Sequence, residues 1–296
     1  MTTTSTLGGR TVRRLGFGAM QLAGPGVFGP PRNRDAALAV LRRAIELGVD
    51  HIDTSQYYGP DVVNDLIREA LHPYPQGLLL ATKVGARRDD RAGWLPAQQP
   101  TELQAGVEDN LRSLGVERMG LVNLRLTGAQ DAGPGDEPPL AEQLGALEDL
   151  RREGKLELIG LSNATRAQVE EALGLVELAC VQNAYSVLDR SSEDAFELCR
   201  EREIAFVPFF PLGSAFTGGP ATLAADAAVS RVAGKHGATP TQVALAWLLH
   251  RYERMLLIPG TSSVAHLEEN LGAADLSLDG DDLTTLEKVT VAAAPG

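Results

Sequence analysis

The chain has 296 residues, 44% of them apolar, enough to bury a sizeable core in one large or two medium domains. Its formal net charge of −12 argues against a nucleic acid or an anionic membrane as partner. The two cysteines, Cys180 and Cys199, make no disulfide framework, the first six residues are polar, and no run approaches the roughly 18 apolar residues of a membrane span, so a soluble cytoplasmic protein is expected.

Along the chain, residues 6–12 read as a hairpin about a Gly8-Gly9 turn. Short apolar runs with strand character follow at 12–17, 51–53, 78–82, 121–126, 156–161, 178–182, 205–209 and 255–258, eight in all. Helical patterns lie between them. Leu38, Leu41 and Ile45 share a face that ends at Gly48, and Val63, Leu66, Ile67 and Ala70 keep the i, i+3, i+4, i+7 spacing. Leu103, Val107, Leu111 and Leu114 make the next stripe, and Leu140, Leu144, Leu147 and Leu150 another, stopped at Gly154. Thr101 with Gln104, Thr165 with Gln168 and Thr239 with Gln242 have capping-box spacing, the last with Pro240 at the first helical position. Eight strands alternating with helices, without a break in composition, predict a single (β/α)8 TIM barrel over residues 1–296, with the hairpin capping the barrel bottom. A doubly wound open sheet is the alternative. Three loops, at 24–31, 85–100 and 128–139, are expected to shape specificity; the second carries Arg87, Arg88, Arg91 and Trp94.

Several tempting motifs fail. Gly24-Pro25-Gly26-Val27-Phe28-Gly29 has the Gly-x-Gly-x-x-Gly form, but Pro25 lies inside it and Pro30-Pro31 follow at once. No helix can then open on the last glycine to meet a pyrophosphate. The five histidines never pair at metal-ligand spacing, so no metal is expected, and no Gly-x-Ser-x-Gly elbow occurs.

The chemistry concentrates at His51-Ile52-Asp53-Thr54-Ser55-Gln56-Tyr57-Tyr58-Gly59 and at Ala81-Thr82-Lys83. Taken singly, Asp53 reads as a helix cap, Tyr58 as loop packing and Lys83 as a solvated strand end. Together, on consecutive strand ends, they make a proton donor. A free phenol has a pKa of about 10 and is a poor acid at neutral pH, a neighbouring ammonium favours its phenolate, and a carboxylate holds that ammonium in place. This is the requirement for general-acid reduction of a carbonyl.

These residues carry a resemblance. From about residue 7 to 286 the chain resembles the aldo-keto reductases, NAD(P)H-dependent carbonyl reductases on a (β/α)8 barrel, through Gly48-Val49-Asp50-His51-Ile52-Asp53-Thr54 and Tyr58-Gly59. Asp53, Tyr58 and Lys83 fall on three of the family's four catalytic positions. The runs GFGAMQLAGPGVFGPPR (16–32), VVNDLIREAL (62–71), VPFFPLG (207–213) and IPGTSSVAHLEEN (258–270) are similar to the bacterial pyridoxal reductase branch, which uses NADPH to form pyridoxine. The resemblance implies NADPH, with NADH as the alternative, and a small aldehyde such as pyridoxal as substrate. It places Ser162, Asn163 and Gln182 at the nicotinamide carboxamide, Leu212, Gly213 and Ser214 over the pyrophosphate, and Gly260, Thr261, Ser262, His266, Glu269 and Asn270 at the adenosine end. Ala19, Met20, Asp53, Phe209 and Pro211 complete the cofactor set, and Phe28, Trp94 and Arg125 face the substrate. The chain departs from the family where Arg125 replaces the catalytic histidine, Phe209 the stacking tyrosine, Gly260 a lysine and His266 an arginine. Arg125 is expected to orient a polar or anionic substrate atom, because a guanidinium cannot shuttle a proton as histidine can. The competing readings are a non-catalytic cofactor-binding regulatory subunit on the same fold and a barrel hydrolase or lyase.

Overall fold

Gly8 and Gly9 have φ of 53° and 80°, the left-handed backbone that a two-residue hairpin turn requires. The turn joins β1 (Thr4–Leu7) to β2 (Arg10–Arg13) in antiparallel register. The structure is a computed structural model and describes residues 2–127, 137–213 and 218–289. After the hairpin come β3 (Phe17–Gly18), β4 (His51–Asp53), β5 (Leu79–Val84), a second hairpin of β6 (Ala86–Arg88) and β7 (Trp94–Pro96), then β8 (Met119–Arg125), β9 (Leu156–Ser162), β10 (Leu178–Gln182) and β11 (Ala205–Phe206). Seven of these form one parallel sheet in the order β11-β10-β9-β8-β5-β4-β3. Parallel bridges from Leu15 to Leu257 and from Phe206 to Met255 tie both edges to the 255–258 segment and close the sheet into a (β/α)8 barrel.

Two strand expectations are corrected. The run at 12–17 is not one strand: its start belongs to β2 of the hairpin, while Leu15 and β3 belong to the barrel. The eighth strand at 255–258 contributes isolated bridges rather than a ladder. The 85–100 loop is also more ordered than its composition suggests, since Ala86, Arg87 and Arg88 pair antiparallel with Pro96, Leu95 and Trp94.

The helices follow the apolar stripes. They are α1 (Arg34–Glu46), α2 (Val62–Leu71), α3 (Pro100–Leu114), α4 (Leu140–Arg152), α5 (Arg166–Leu173), α6 (Glu193–Glu201), α7 (Pro220–Ala225), α8 (Ala227–His236), α9 (Pro240–Arg251), α10 (Val264–Leu271) and α11 (Gly280–Glu287). The capping boxes at Thr165/Gln168 and Thr239/Gln242 form as expected. The one at Thr101/Gln104 does not. Pro100 takes the first helical position, which moves the cap back to Gln99 and the box partner to Glu102.

Inside the barrel, Leu79, Ala81, Leu121, Cys180, Ala205, Val207, Leu256 and Ile258 form one apolar cluster that also contains Leu7 and Val12 of the hairpin. The hairpin therefore plugs the end at which the strands begin. The opposite end, where the strands finish, is left for the loops, as in barrel enzymes generally. Gly24–Gly29 makes only a single short turn, with Gly26 and Gly29 at positive φ, and no helix opens on it.

Candidate active site

Strand side chains alternate in period two. With the observed register, Asp53 of β4, Lys83 of β5, Asn123 and Arg125 of β8, Ser162 of β9 and Gln182 of β10 fall on one face, at the ends of their strands. Lys83 Nζ donates to Asp53 Oδ1 at 2.5 Å and to the Thr54 carbonyl at 3.1 Å. Gln182 Nε2 donates to the other carboxylate oxygen, Asp53 Oδ2, at 2.8 Å. Lys83 Nζ also lies 5.3 Å from the centroid of the Tyr58 ring. Burial works against the Lys83 charge, but the Asp53 carboxylate and Tyr58 outweigh it and hold the ammonium above the usual lysine range. Tyr58 is 8% exposed. Its loop is pinned by its own amide to the Ser55 carbonyl at 3.0 Å and by the Gly59 amide to the Val27 carbonyl at 3.1 Å. Asp53, Tyr58 and Lys83 are thus brought together as their spacing predicts.

A buried polar network braces this group from behind. Thr54 Oγ1 donates to Asn64 Oδ1 at 2.9 Å, Asn64 Nδ2 to Asn110 Oδ1 at 3.1 Å, and Thr82 Oγ1 to the same Asn110 oxygen at 2.6 Å. All four side chains are fully buried. They tie the ends of β4 and β5, one residue from Asp53 and Lys83, to α2 and α3. Buried polar groups satisfied in this way rigidify their surroundings. Sequence periodicity gave no sign of Asn64 or Asn110, because a polar residue on an apolar helix stripe becomes meaningful only when its partner is known.

A cleft lies beside Tyr58, lined by Met20, Asp53, Tyr58, Gln182, Phe209, Pro211, Leu212, Gly213 and Gly260. After Gln182 has donated to Asp53, its Oε1 remains buried without a hydrogen-bond partner among the described residues. An orphaned acceptor at that place fits a carboxamide donor, so the residues present suit a nicotinamide. Ser162 and Gln182 are register partners. Asn163 takes a left-handed φ of 61°, its amide donates to the Gln182 carbonyl at 3.1 Å, and its side chain donates to the Leu126 carbonyl at 3.1 Å. Ala19 is fully buried between Gly18 and Met20, two residues that line the cleft. Beyond Gly260, Thr261 Oγ1 accepts the Ser263 amide at 3.1 Å, and Ser263 caps α10 with His266 exposed on its first turn. Glu269 accepts the Thr239 hydroxyl at 2.8 Å, and Asn270 is buried. Ser214 lies outside the described residues.

The three expected substrate residues meet on another side, through the second hairpin. Gly85 has φ of 104°, and a Cβ there would come within 2.4 Å of the Arg125 carbonyl, so only glycine lets the hairpin leave β5 so close to β8. Trp94 then stacks with Arg125, whose Cζ is 4.5 Å from the ring centroid. Arg88 stacks on the same ring at 4.4 Å, lies 5.6 Å from the Phe28 ring, and donates to the Gly26 carbonyl at 3.0 Å. Arg88 was not among the expected site residues. The one sequence signal for it was the density of arginine around Trp94.

With this geometry in hand, the likeness to known proteins is informative. The model of the aldo/keto reductase family matches residues 14–291. The chain is 50% identical over 287 residues to the pyridoxine 4-dehydrogenase of Escherichia coli K12, covering 97% of this chain and 98% of that protein. It is 36% identical to an uncharacterized oxidoreductase of Schizosaccharomyces pombe, over 96% of this chain and 89% of the other. Among solved structures, a thermostable aldo-keto reductase in complex with the inhibitor epalrestat superposes with a TM-score of 0.80 at 27% identity, covering 97% of this chain and 99% of that one. An aldo/keto reductase from Klebsiella pneumoniae in complex with NADP and acetate gives 0.81 at 23% identity, over 100% and 98% of the two chains. No described helix is long and apolar enough to cross a membrane. The chain belongs to the aldo/keto reductase family.

Proposed function

We propose that this protein reduces the aldehyde of pyridoxal, or of a similar small aromatic compound, to the alcohol with NADPH, and that Tyr58 gives the proton. As a family member the chain is an NAD(P)H-dependent oxidoreductase. The observation that carries the finer reading is the Asp53–Lys83–Tyr58 group at the wall of a cleft whose Gln182 acceptor is unpaired. The likeness to the E. coli pyridoxine 4-dehydrogenase supports the substrate.

NADPH supplies a hydride when bound. The chain's own residues do the rest. Gln182 Oε1 and Ser162 would hold the carboxamide end, with Asn163 set beside them by its left-handed backbone. Phe209 offers an apolar face in the cleft. Leu212 and Gly213 would cover the phosphates, and the Gly260-Thr261-Ser262 amides lead into the N-terminus of α10, a favourable place for phosphate. Tyr58 would donate its hydroxyl proton to the carbonyl oxygen of the substrate. Lys83 stabilises the phenolate that remains, and Asp53, fixed by Gln182, keeps Lys83 charged and aimed. A positioned general acid of this kind contributes roughly 10²–10⁴-fold. Arg125 stands where the family has histidine and acts by orienting substrate.

The test is a spectrophotometric assay of purified protein with NADPH and with NADH, each against pyridoxal and benzaldehyde. Oxidation of NADPH by pyridoxal is expected. Turnover of benzaldehyde with none of pyridoxal would overturn the substrate while leaving the reductase, and no turnover of any aldehyde would overturn both.

A further inference from the structure

Two arginines share one indole at the barrel mouth, and no described carboxylate forms an ion pair with either. Arg88 sits directly opposite Trp94 in the β6–β7 register, and Arg88 and Arg125 lie 4.4 and 4.5 Å from the Trp94 centroid. Among the described residues neither guanidinium is within ion-pair distance of a carboxylate. The nearest acid in sequence, Asp89, is spent on the hairpin turn, where its Oδ1 accepts the Arg91 amide at 2.9 Å and the Gly93 amide at 2.6 Å. Burial and then the charge of Arg125 push the Arg88 guanidinium below its ordinary range, against a smaller opposing pull from Asp89.

The same chain shows what such a stack looks like when it serves structure alone. Arg190 and Arg251 lie 4.9 and 5.4 Å from the Trp247 centroid, and there carboxylates neutralise both: Arg190 meets Glu287 at 2.7 Å, and Arg251 meets Glu287 at 3.1 Å and also Glu193. The chain carries a net charge of −12, yet among the described residues no carboxylate is paired with the stack at the barrel mouth.

We infer that the aldehyde taken at this site carries an anionic oxygen besides the reacting carbonyl, and that Arg88, acting with Arg125 across Trp94, is a specificity-determining residue for it. This rests on the reductase reading above. A planar guanidinium offers paired donors to a carboxylate, phenolate or phosphate edge, so Arg88 is better suited to the task than lysine would be. The anion restores at the barrel mouth the charge balance that Glu193 and Glu287 provide around Trp247. Arg88 also bridges the Gly26 carbonyl to the hairpin, so it fixes the 24–29 loop over the same place.

The experiment measures kcat/KM for benzaldehyde, salicylaldehyde above its phenol pKa, and 4-carboxybenzaldehyde, with wild-type, Arg88→Lys and Arg88→Met proteins and NADPH. The readout is the ratio of each anionic aldehyde to benzaldehyde, which a general loss of packing leaves unchanged. Wild type should favour at least one anionic aldehyde; salicylaldehyde places the recognised oxygen beside the carbonyl, and 4-carboxybenzaldehyde places it at the far end of the ring. That ratio should fall about tenfold in Arg88→Met, with Arg88→Lys between, and the change should lie mainly in KM. Equal ratios in wild type and Arg88→Met, or no anionic preference in the wild type, would overturn the inference while the reductase reading stood. Absence of turnover on all three and on pyridoxal would instead sink that reading.

Discussion

The two tryptophans of this chain are both flanked by pairs of arginines, and they differ in one respect. Around Trp247, which is fully buried, Glu193 and Glu287 neutralise Arg190 and Arg251, and the Tyr185 hydroxyl donates to Glu193 at 2.6 Å. Around Trp94, Arg88 and Arg125 face each other across the ring, and no described carboxylate forms an ion pair with either. The first stack is complete in the protein alone. On our proposal, the second is completed by an anionic substrate. An arrangement that leaves buried or half-buried charge unbalanced costs stability, and such costs gather where function needs them.

The largest effect that separates the stacks is on folding. Glu193→Leu removes a carboxylate from Arg251 and the acceptor of the buried Tyr185 hydroxyl, and should lower unfolding free energy by about 1–3 kcal/mol. Urea denaturation measures it, and a change smaller than experimental error would mean the Trp247 stack is not a structural element.

At the Trp94 stack the effect should appear in substrate choice instead. Arg125→Leu should reduce the preference for pyridoxal over benzaldehyde by roughly tenfold, the equivalent of about 1.4 kcal/mol. The same substitution should not destabilise the fold as Glu193→Leu does, since it removes one of two like charges. A parallel fall in kcat/KM for both aldehydes, with no change in their ratio, would break the contrast between the stacks.

The smallest effect concerns a third buried charge that is neutralised like those at Trp247. Burial alone would raise the pKa of Asp282, but Lys235 at 2.7 Å and His236 at 2.7 Å outweigh burial and hold the carboxyl well below the usual carboxylate range. A depressed carboxylate stabilises the folded protein above its unfolded pKa of about 4, and the stabilisation drains away as pH falls below that value. Wild type should therefore lose more Tm between pH 7 and acid conditions than Asp282→Asn does. Equal acid sensitivity of the two proteins would contradict the assignment.

The sequence was most legible where chemistry follows local pattern. Asp53 and Lys83 close short apolar runs and Tyr58 follows Asp53 by five residues, so their meeting needed only the barrel and its register. Gly8 and Gly9 announced the plugging hairpin for the same reason. Legibility failed where a feature depends on contacts between distant segments. Arg87 and Arg88 look like loop residues until Arg88 pairs with Trp94, and the stack with Arg125 then spans β6–β7 and β8. Asn64 and Asn110 belong to different helices and take their meaning from Thr54 and Thr82. Thr101 misled because Pro100, rather than the threonine, begins α3. The eighth strand was placed by its apolar run, but its ladder reduces to bridges at Met255 and Leu257.

On our proposal Tyr58 gives the proton in aldehyde reduction, and the Trp94 side governs only which aldehyde is chosen. A single-turnover measurement of NADPH oxidation by Tyr58→Phe, with pyridoxal and with benzaldehyde, tests it most directly. The rate should fall by roughly 10²–10⁴-fold for both aldehydes, with the ratio between them preserved and NADPH binding retained by fluorescence titration. Near wild-type rates in Tyr58→Phe would contradict it.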